Sequence, residues 1–145
     1  DLSAMFNANY GISETSPQLV LSVLRHLVRS VGVAQKDIYV GDPMKHIYKH
    51  CYELWYAEFP QVNYLDHDYG AEKGRLKVVP SSSASLVYSD RGRIISTGPD
   101  RIYKIFDEAS YMINIPTLKG HKHAGVTMFA KNHFGSHTRS NASPN

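Results

Sequence analysis

Cysteine is almost absent: Cys51 stands alone among 145 residues. An internal disulfide is therefore excluded, as is any zinc or iron–sulfur site built from cysteine alone, so no iron–sulfur cluster is expected on this chain. Long apolar runs are also missing. Nothing approaches the roughly 20 consecutive apolar residues of a membrane span, and no signal-peptide pattern is recognisable. A strong excess of either sign of charge is missing as well. A net charge of +3 permits an anionic ligand but does not argue for nucleic acid. Tryptophan is limited to Trp55, and ten of the aromatic residues are tyrosine, a side chain as much at home at wet edges as in a core. The length predicts one domain over residues 1–145 with an adequate core. Ser136 to Asn145 is small and polar and reads as a flexible tail or as the point where a longer chain was trimmed.

Strand-like and helix-like segments alternate from Thr15 onward. Thr15 or Ser16 can cap a helix with Pro17 at its first position. Leu19, Val20, Val23, Leu24, Leu27 and Val28 then repeat at helical spacing, and Gly32 is the natural stop. His26 falls on another face, as an ordinary solvated residue. Asp37 to Val40 predicts a short buried strand that delivers Gly41, Asp42 and Pro43 to its carboxyl end. There Asp42 either faces a ligand or caps the next helix. Lys45 to Phe59 predicts a second helix with an apolar side of Ile47, Cys51, Leu54, Trp55 and Phe59. Its tyrosines, Tyr48, Tyr52 and Tyr56, read as half-buried packing. His46 and His50 are four apart, the spacing of a helical metal pair, but a surface reading is favoured because no HExxH arrangement surrounds them.

Gln61 to Leu65 predicts a third strand, with Asp66, His67 and Asp68 in a loop at its end. Tyr69 to Ser85 reads as loop with one extended piece at Leu76 to Val79, and Ser81 to Ser83 as a flexible run. Leu86 to Thr97 carries a β-hairpin pattern around Gly92, and Arg101 to Phe106 alternates like one more strand. The alternation predicts an α/β fold: a mostly parallel central sheet, helices on both faces and a β-hairpin insertion.

The richest chemistry lies between Asp107 and Arg139. Tyr111 to Ile115 is an apolar run that reads as a buried strand ended by Pro116. A basic loop, Thr117 to His123, leads into a segment with helical spacing from Ala124 to Phe134. Such a layout would crowd Lys119, His121, His123, Thr127, Lys131 and Asn132 at the carboxyl end of one strand and the start of one helix, where open α/β sheets hold ligands. Lysines attract carboxylates or phosphates as point charges and become bases if desolvated. Two imidazoles two residues apart, His121 and His123, could share a divalent metal with Asp42 or with a residue of the Asp66–Asp68 loop.

The same stretch carries a resemblance. Asn114-Ile-Pro-Thr-Leu-Lys119, then His121, Ala124-Gly-Val-Thr127 and Lys131-Asn132-His133-Phe134-Gly135 resemble the motifs of the DUF362 family. Ser110, Thr117, Gly120 and His133 depart from that pattern. Ala4 to Tyr10 is similar to the family's first strand, with Asn9 near a polar element whose usual lysine is missing; the plainer reading is an Asn at a strand end. The resemblance implies an exported or periplasmic bacterial protein.

Two functions follow as expectations. In the first, the chain binds a small anionic molecule at the carboxyl-end rim of its sheet as a metal-assisted enzyme. Lys119, His121 and Lys131 are then catalytic, Asp42, Asn9, Asn114, Thr127 and Asn132 hold the ligand, and His121, His123 and Asp42 hold the metal. In the alternative, the same rim is a non-catalytic ligand- or partner-binding module.

Overall fold

Ser16 and Pro17 begin the first helix as their chemistry dictates. The Ser16 hydroxyl accepts from the Leu19 N–H at 3.4 Å, and proline loses nothing at a position whose N–H has no helical partner. Helix α1 spans Pro17–Arg25 and continues as a wider π-helical segment, His26–Val31. Gly32 ends it with φ of 83°, the left-handed cap that a residue without Cβ adopts cheaply. A single 3₁₀ turn, Gln35–Asp37, leads into β1, Tyr39–Gly41.

The computed structural model describes residues 15–41, 47–66, 74–85, 88–90, 93–96, 101–121, 125–127 and 136–138. After β1 come α2 (Lys49–Tyr56), β2 (Asn63–Asp66), β3 (Leu76–Lys77), β4 (Pro80–Ser85), β5 (Tyr88–Asp90), β6 (Arg93–Ser96), β7 (Arg101–Tyr103), α3 (Lys104–Glu108), β8 (Lys119–His121) and β9 (Gly125–Thr127). A small parallel sheet has the order β1-β2-β3, with Leu65 opposite Leu76 and Asp66 opposite Lys77. Antiparallel pairs β4–β7, β5–β6 and β8–β9 complete the described strands. The coarse α/β expectation therefore stands, and the expected hairpin insertion is β5–β6, with Ser89 opposite Ile94.

Several expectations are corrected. Ser81 to Ser83 is not a flexible run: it belongs to β4, whose ladder is supplied by β7 far along the chain. Tyr111 to Ile115 forms no strand; the chain is irregular from Tyr111 to Leu118, and Tyr111 is 91% exposed. An apolar run becomes a strand only where another backbone pairs with it, and no ladder includes this run among the described residues. The second helix starts at Lys49 after a non-helical Tyr48, later than expected; His46 lies outside the described residues. Past Tyr103 the expected strand turns into α3. The strand Ala4 to Tyr10 lies outside the described residues.

The chain divides into two compact units. One holds the described residues up to Val40, those of 47–64 and those of 114–132. Its core joins Leu21 and Leu24 of α1, Ile38, Ile47, Cys51 and Trp55, and Phe59, Val62 and Tyr64. Fully burying one such large apolar side chain is worth about 1.5–3 kcal/mol. The indole N–H of Trp55 donates to the Pro17 carbonyl at 2.8 Å, tying α2 to the start of α1. Outside this core Glu58 accepts from both Arg25 (2.6 Å) and Arg29 (2.5 Å). The hydrogen bond from Arg25 holds the Glu58 carboxyl below its ordinary value.

The expected half-buried tyrosine packing holds for Tyr48 and Tyr52, whereas Tyr56 is exposed. Tyr52 meets Tyr64 edge-on with ring centroids 5.2 Å apart, and the Tyr64 hydroxyl donates to the Phe59 carbonyl at 3.0 Å. Burial, then the neighbouring Tyr52 and Tyr56, push the Tyr64 phenol upward. A phenol raised in the fold keeps its full contribution below the unfolded value of about 10. Above that pH the unfolded chain releases this proton first, so stability falls as pH rises. Tyr64→Phe is expected to flatten the alkaline limb of a stability–pH curve, while the lost hydrogen bond lowers stability at neutral pH by about 1 kcal/mol. Urea midpoints across that pH range check it; an unchanged alkaline limb would refute it.

The other unit holds Gly41 and the described residues of 65–113 and 136–138. Its core is Leu65, Val78 and Tyr103, with Ile105 and Phe106 packed against them. Ser81, buried on β4, donates to the Asp107 carboxylate, and Arg101 donates to the carbonyls of Ser81 and Ser82. Ser136–Thr138, the start of the expected tail, is held to β7: the Thr138 N–H donates to the Arg101 carbonyl at 2.8 Å, and its hydroxyl accepts from the Arg101 N–H at 3.1 Å.

Candidate functional site

The basic stretch folds as a hairpin rather than as a loop entering a helix. Lys119 stands opposite Thr127, Gly120 opposite Val126, and His121 opposite Gly125. Gly125 has φ of 71°. Glycine adopts this left-handed conformation without the Cβ penalty. The helical expectation from Ala124 is therefore corrected for Gly125–Thr127, and the rest of that segment lies outside the described residues. The overlooked signal was Gly125, whose φ of 71° does not belong in a helix.

The hairpin is entered through the irregular segment Tyr111 to Leu118, not through a buried strand. Asn114 is exposed there. Thr15 pins the segment: its hydroxyl donates to the Ile115 carbonyl at 2.5 Å and lies 3.3 Å from the Thr117 hydroxyl. Of the expected site residues, Lys119, His121 and Thr127 are thus brought into one two-stranded element as register positions. Asn9, Asp42, His123, Lys131 and Asn132 lie outside the described residues. Among the described residues no three His, Cys, Asp or Glu side chains gather as a metal site. Because His123 and Asp42 are outside that set, the expected metal shell is untouched by this. Cys51 is buried with its Sγ 3.3 Å from the His50 ring.

One charged pair stands out that the sequence reading had left in a loop. Asp66 is the last residue of β2 and is 0% exposed; Arg75 is 5% exposed, with its Nε 3.7 Å from the Asp66 carboxylate. The Val78 N–H donates to the Asp66 carbonyl at 3.0 Å, fixing the backbone on which the carboxylate is carried. Beside it, Gly41 ends β1 against Leu65 so closely that a Cβ there would lie 2.6 Å from the Leu65 carbonyl oxygen. The carboxyl ends of β1 and β2 thus run side by side up to Asp66. The sequence signal was a carboxylate directly after the apolar Tyr64 and Leu65, with no break before it. His67 and Asp68 lie outside the described residues.

A family model, that of a domain of unknown function (DUF362), matches residues 5–143. No curated protein and no solved structure matches the chain.

Proposed function

Given that the chain belongs to the DUF362 family, we propose that it binds a small anionic ligand through the Lys119–Thr127 hairpin. The observation that carries this reading is the register. Lys119 opposite Thr127, with His121 two residues further along the same strand, are positions of one parity, and a pleat gives alternate positions to alternate faces. An ammonium, a hydroxyl and an imidazole at such positions suit a carboxylate or phosphate. Lys131, Asn132 and Asn114 extend the ligand-holding set, with Asp42 and Asn9. A fuller central sheet with helices on both faces belongs to the same proposal.

Exposure of Leu118, Gly120, Gly125 and Val126 supports a ligand-holding module over a closed catalytic pocket, since a shallow surface leaves water at the reacting atoms. The second reading is an enzyme. It rests on a histidine two residues from a lysine, able to pass protons beside a bound anion, with His121, His123 and Asp42 as the shell of a divalent metal.

Thermal melts with inorganic phosphate or citrate, at ionic strength matched with chloride, test the binding. At a hundredfold excess over Kd, stabilisation of about 2.7 kcal/mol is expected, a rise of roughly 5–10 °C in Tm. Lys119→Gln should lose most of it. A wild-type Tm indifferent to every carboxylate and phosphate would sink the reading. Elemental analysis of untagged protein beside His121→Ala decides the metal: near-stoichiometric metal lost in the variant supports the enzyme, and none in either protein removes the metal.

A further inference from the structure

A line of neighbouring rings runs from the core of α1 and α2 out to water. Trp55 stacks on Tyr64 with centroids 6.4 Å apart and planes 13° from parallel. Tyr64 meets Tyr52 edge-on at 5.2 Å and Tyr56 at 6.3 Å, and Tyr52 lies 5.2 Å from Tyr56. Three of these rings belong to α2 and one to β2, all within one compact unit. Helix positions four apart are neighbours, so α2 itself sets Tyr52 beside Tyr56. Tyr64 of β2 then joins that pair to Trp55. Such separations are those of aromatic side chains packed against one another.

Indole and phenol are among the side chains that lose one electron most easily. Electron transfer falls steeply with distance, so rings this close exchange an electron readily. The proton sets the direction. An oxidised phenol settles as a radical only once its proton has gone to a base. The Trp55 N–H donates to the Pro17 carbonyl and the Tyr64 hydroxyl to the Phe59 carbonyl, and a carbonyl oxygen is too weak a base to keep a proton. Burial also pushes the Tyr64 phenol up, so it holds its proton tightly. Trp55 and Tyr64 are 6% and 2% exposed, whereas Tyr56 is 45% exposed and has water to take its proton. An electron vacancy formed at either buried ring therefore comes to rest at Tyr56.

We propose that Trp55, Tyr64, Tyr52 and Tyr56 form a path that carries one-electron oxidation out of this core, with Tyr56 as the surface site where it ends. The co-reactant is a one-electron oxidant of the peroxyl-radical class. Trp55 gives it an electron, and the peroxyl group takes a proton from water and leaves as a hydroperoxide. Trp55 regains an electron from Tyr64, and Tyr64 regains one from Tyr56, directly or through Tyr52. Tyr56 releases its phenol proton to water. The net change is one hydrogen atom moved from the Tyr56 hydroxyl to the peroxyl group. Nothing in this path depends on an anion held by the Lys119–Thr127 hairpin.

Flash photolysis of the full chain tests it, with light that indole absorbs and phenol does not, and a cobalt(III) ammine that takes up the ejected electron as cobalt(II). In wild type the absorption of the indolyl radical should decay as that of a tyrosyl radical rises, at a rate independent of protein concentration. On longer illumination two copies should couple by a carbon–carbon bond between their Tyr56 rings, the two ring hydrogens moving to the phenol oxygens. Peptide mass spectrometry locates this dityrosine. Tyr56→Phe removes only a hydroxyl at an exposed position, and far-UV circular dichroism verifies its fold. It should lose the cross-link and most of the tyrosyl signal, with the indole consumed in their place. Tyr64→Phe, which removes the connecting phenol, should slow the transfer. Tyr39 is the control: it is 49% exposed but belongs to none of these ring pairs, and it should stay unmodified. An indolyl radical that persists in wild type, or a transfer unchanged in Tyr56→Phe, overturns the proposal. So does a cross-link through Tyr39 as abundant as that through Tyr56, or a radical that settles on Cys51. The wild-type arms decide even where a variant does not fold.

Discussion

Arg75→Met is expected to destabilise the protein by about 3–5 kcal/mol. Asp66 is 0% exposed at the end of β2, and Arg75 supplies the cation facing it. Removing that cation takes away the Arg75 share of what offsets the lost hydration of a fully buried carboxylate. The pair itself need not be strongly stabilising. At 3.7 Å its attraction is set largely against the loss of hydration, so Asp66→Leu combined with Arg75→Met should recover most of the loss. Urea denaturation followed by far-UV circular dichroism measures both. A loss below about 1 kcal/mol in the single variant would show that the carboxylate is not dependent on Arg75. A double variant no better than the single one would show that the pair is not the unit of the effect.

Gly41→Ala is expected to cost about 2–3 kcal/mol, although it adds only a methyl group. The added carbon would lie 2.6 Å from the Leu65 carbonyl oxygen and 2.8 Å from the Leu65 Cβ. Neither is the far end of a side chain that can swing away. Relief requires β1 and β2 to separate, which disturbs the ladder that continues from Leu65 to Leu76. Gly32→Ala is the control: with φ of 83° and nothing within 4 Å, it carries backbone strain of about 1–2 kcal/mol without crowding. Denaturation midpoints separate the two effects. A Gly41→Ala protein as stable as wild type would mean that the strands shift apart freely, and that crowding at Leu65 does not fix them.

Local chemistry was readable. Ser16 and Pro17 announced the start of α1, and Gly32 its end, because capping depends on neighbours only a few residues away. The apolar side of α2 and the β5–β6 hairpin were also legible, each carried by a short periodic pattern. Non-local pairing was not. Ser81 to Ser83 looks flexible by composition, yet it lies in β4 between two residues, Pro80 and Ser85, that pair with β7, and strand preference depends on the partner more than on the residue. Tyr111 to Ile115 shows the reverse: β-prone by composition, it has no ladder among the described residues.

The candidate site divides in the same way. Lys119, His121 and Thr127 were identifiable by residue type, but Lys119 and His121 were read in a loop and Thr127 on a helix. The two segments pair as a hairpin instead, and the register sets Lys119 opposite Thr127. Asp66 was read as a loop carboxylate, and its pairing with Arg75 was missed because Arg75 is nine residues away across a stretch with no periodic signal. A buried ion pair is defined by who meets whom, which a one-dimensional pattern does not record.

Trp55 has a consequence for how this chain can be watched. It is the sole indole in the sequence, it stacks on Tyr64 with centroids 6.4 Å apart, and it sits in the core shared by α1 and α2. The other core offers Tyr103 and Phe106 instead. Light absorbed selectively by indole therefore reports on one core alone, while far-ultraviolet dichroism sums both. Arg75 and Gly41 belong to the unit that the indole does not report. A loss of stability introduced at either residue would reach the tryptophan emission only if the two cores melt in one shared transition.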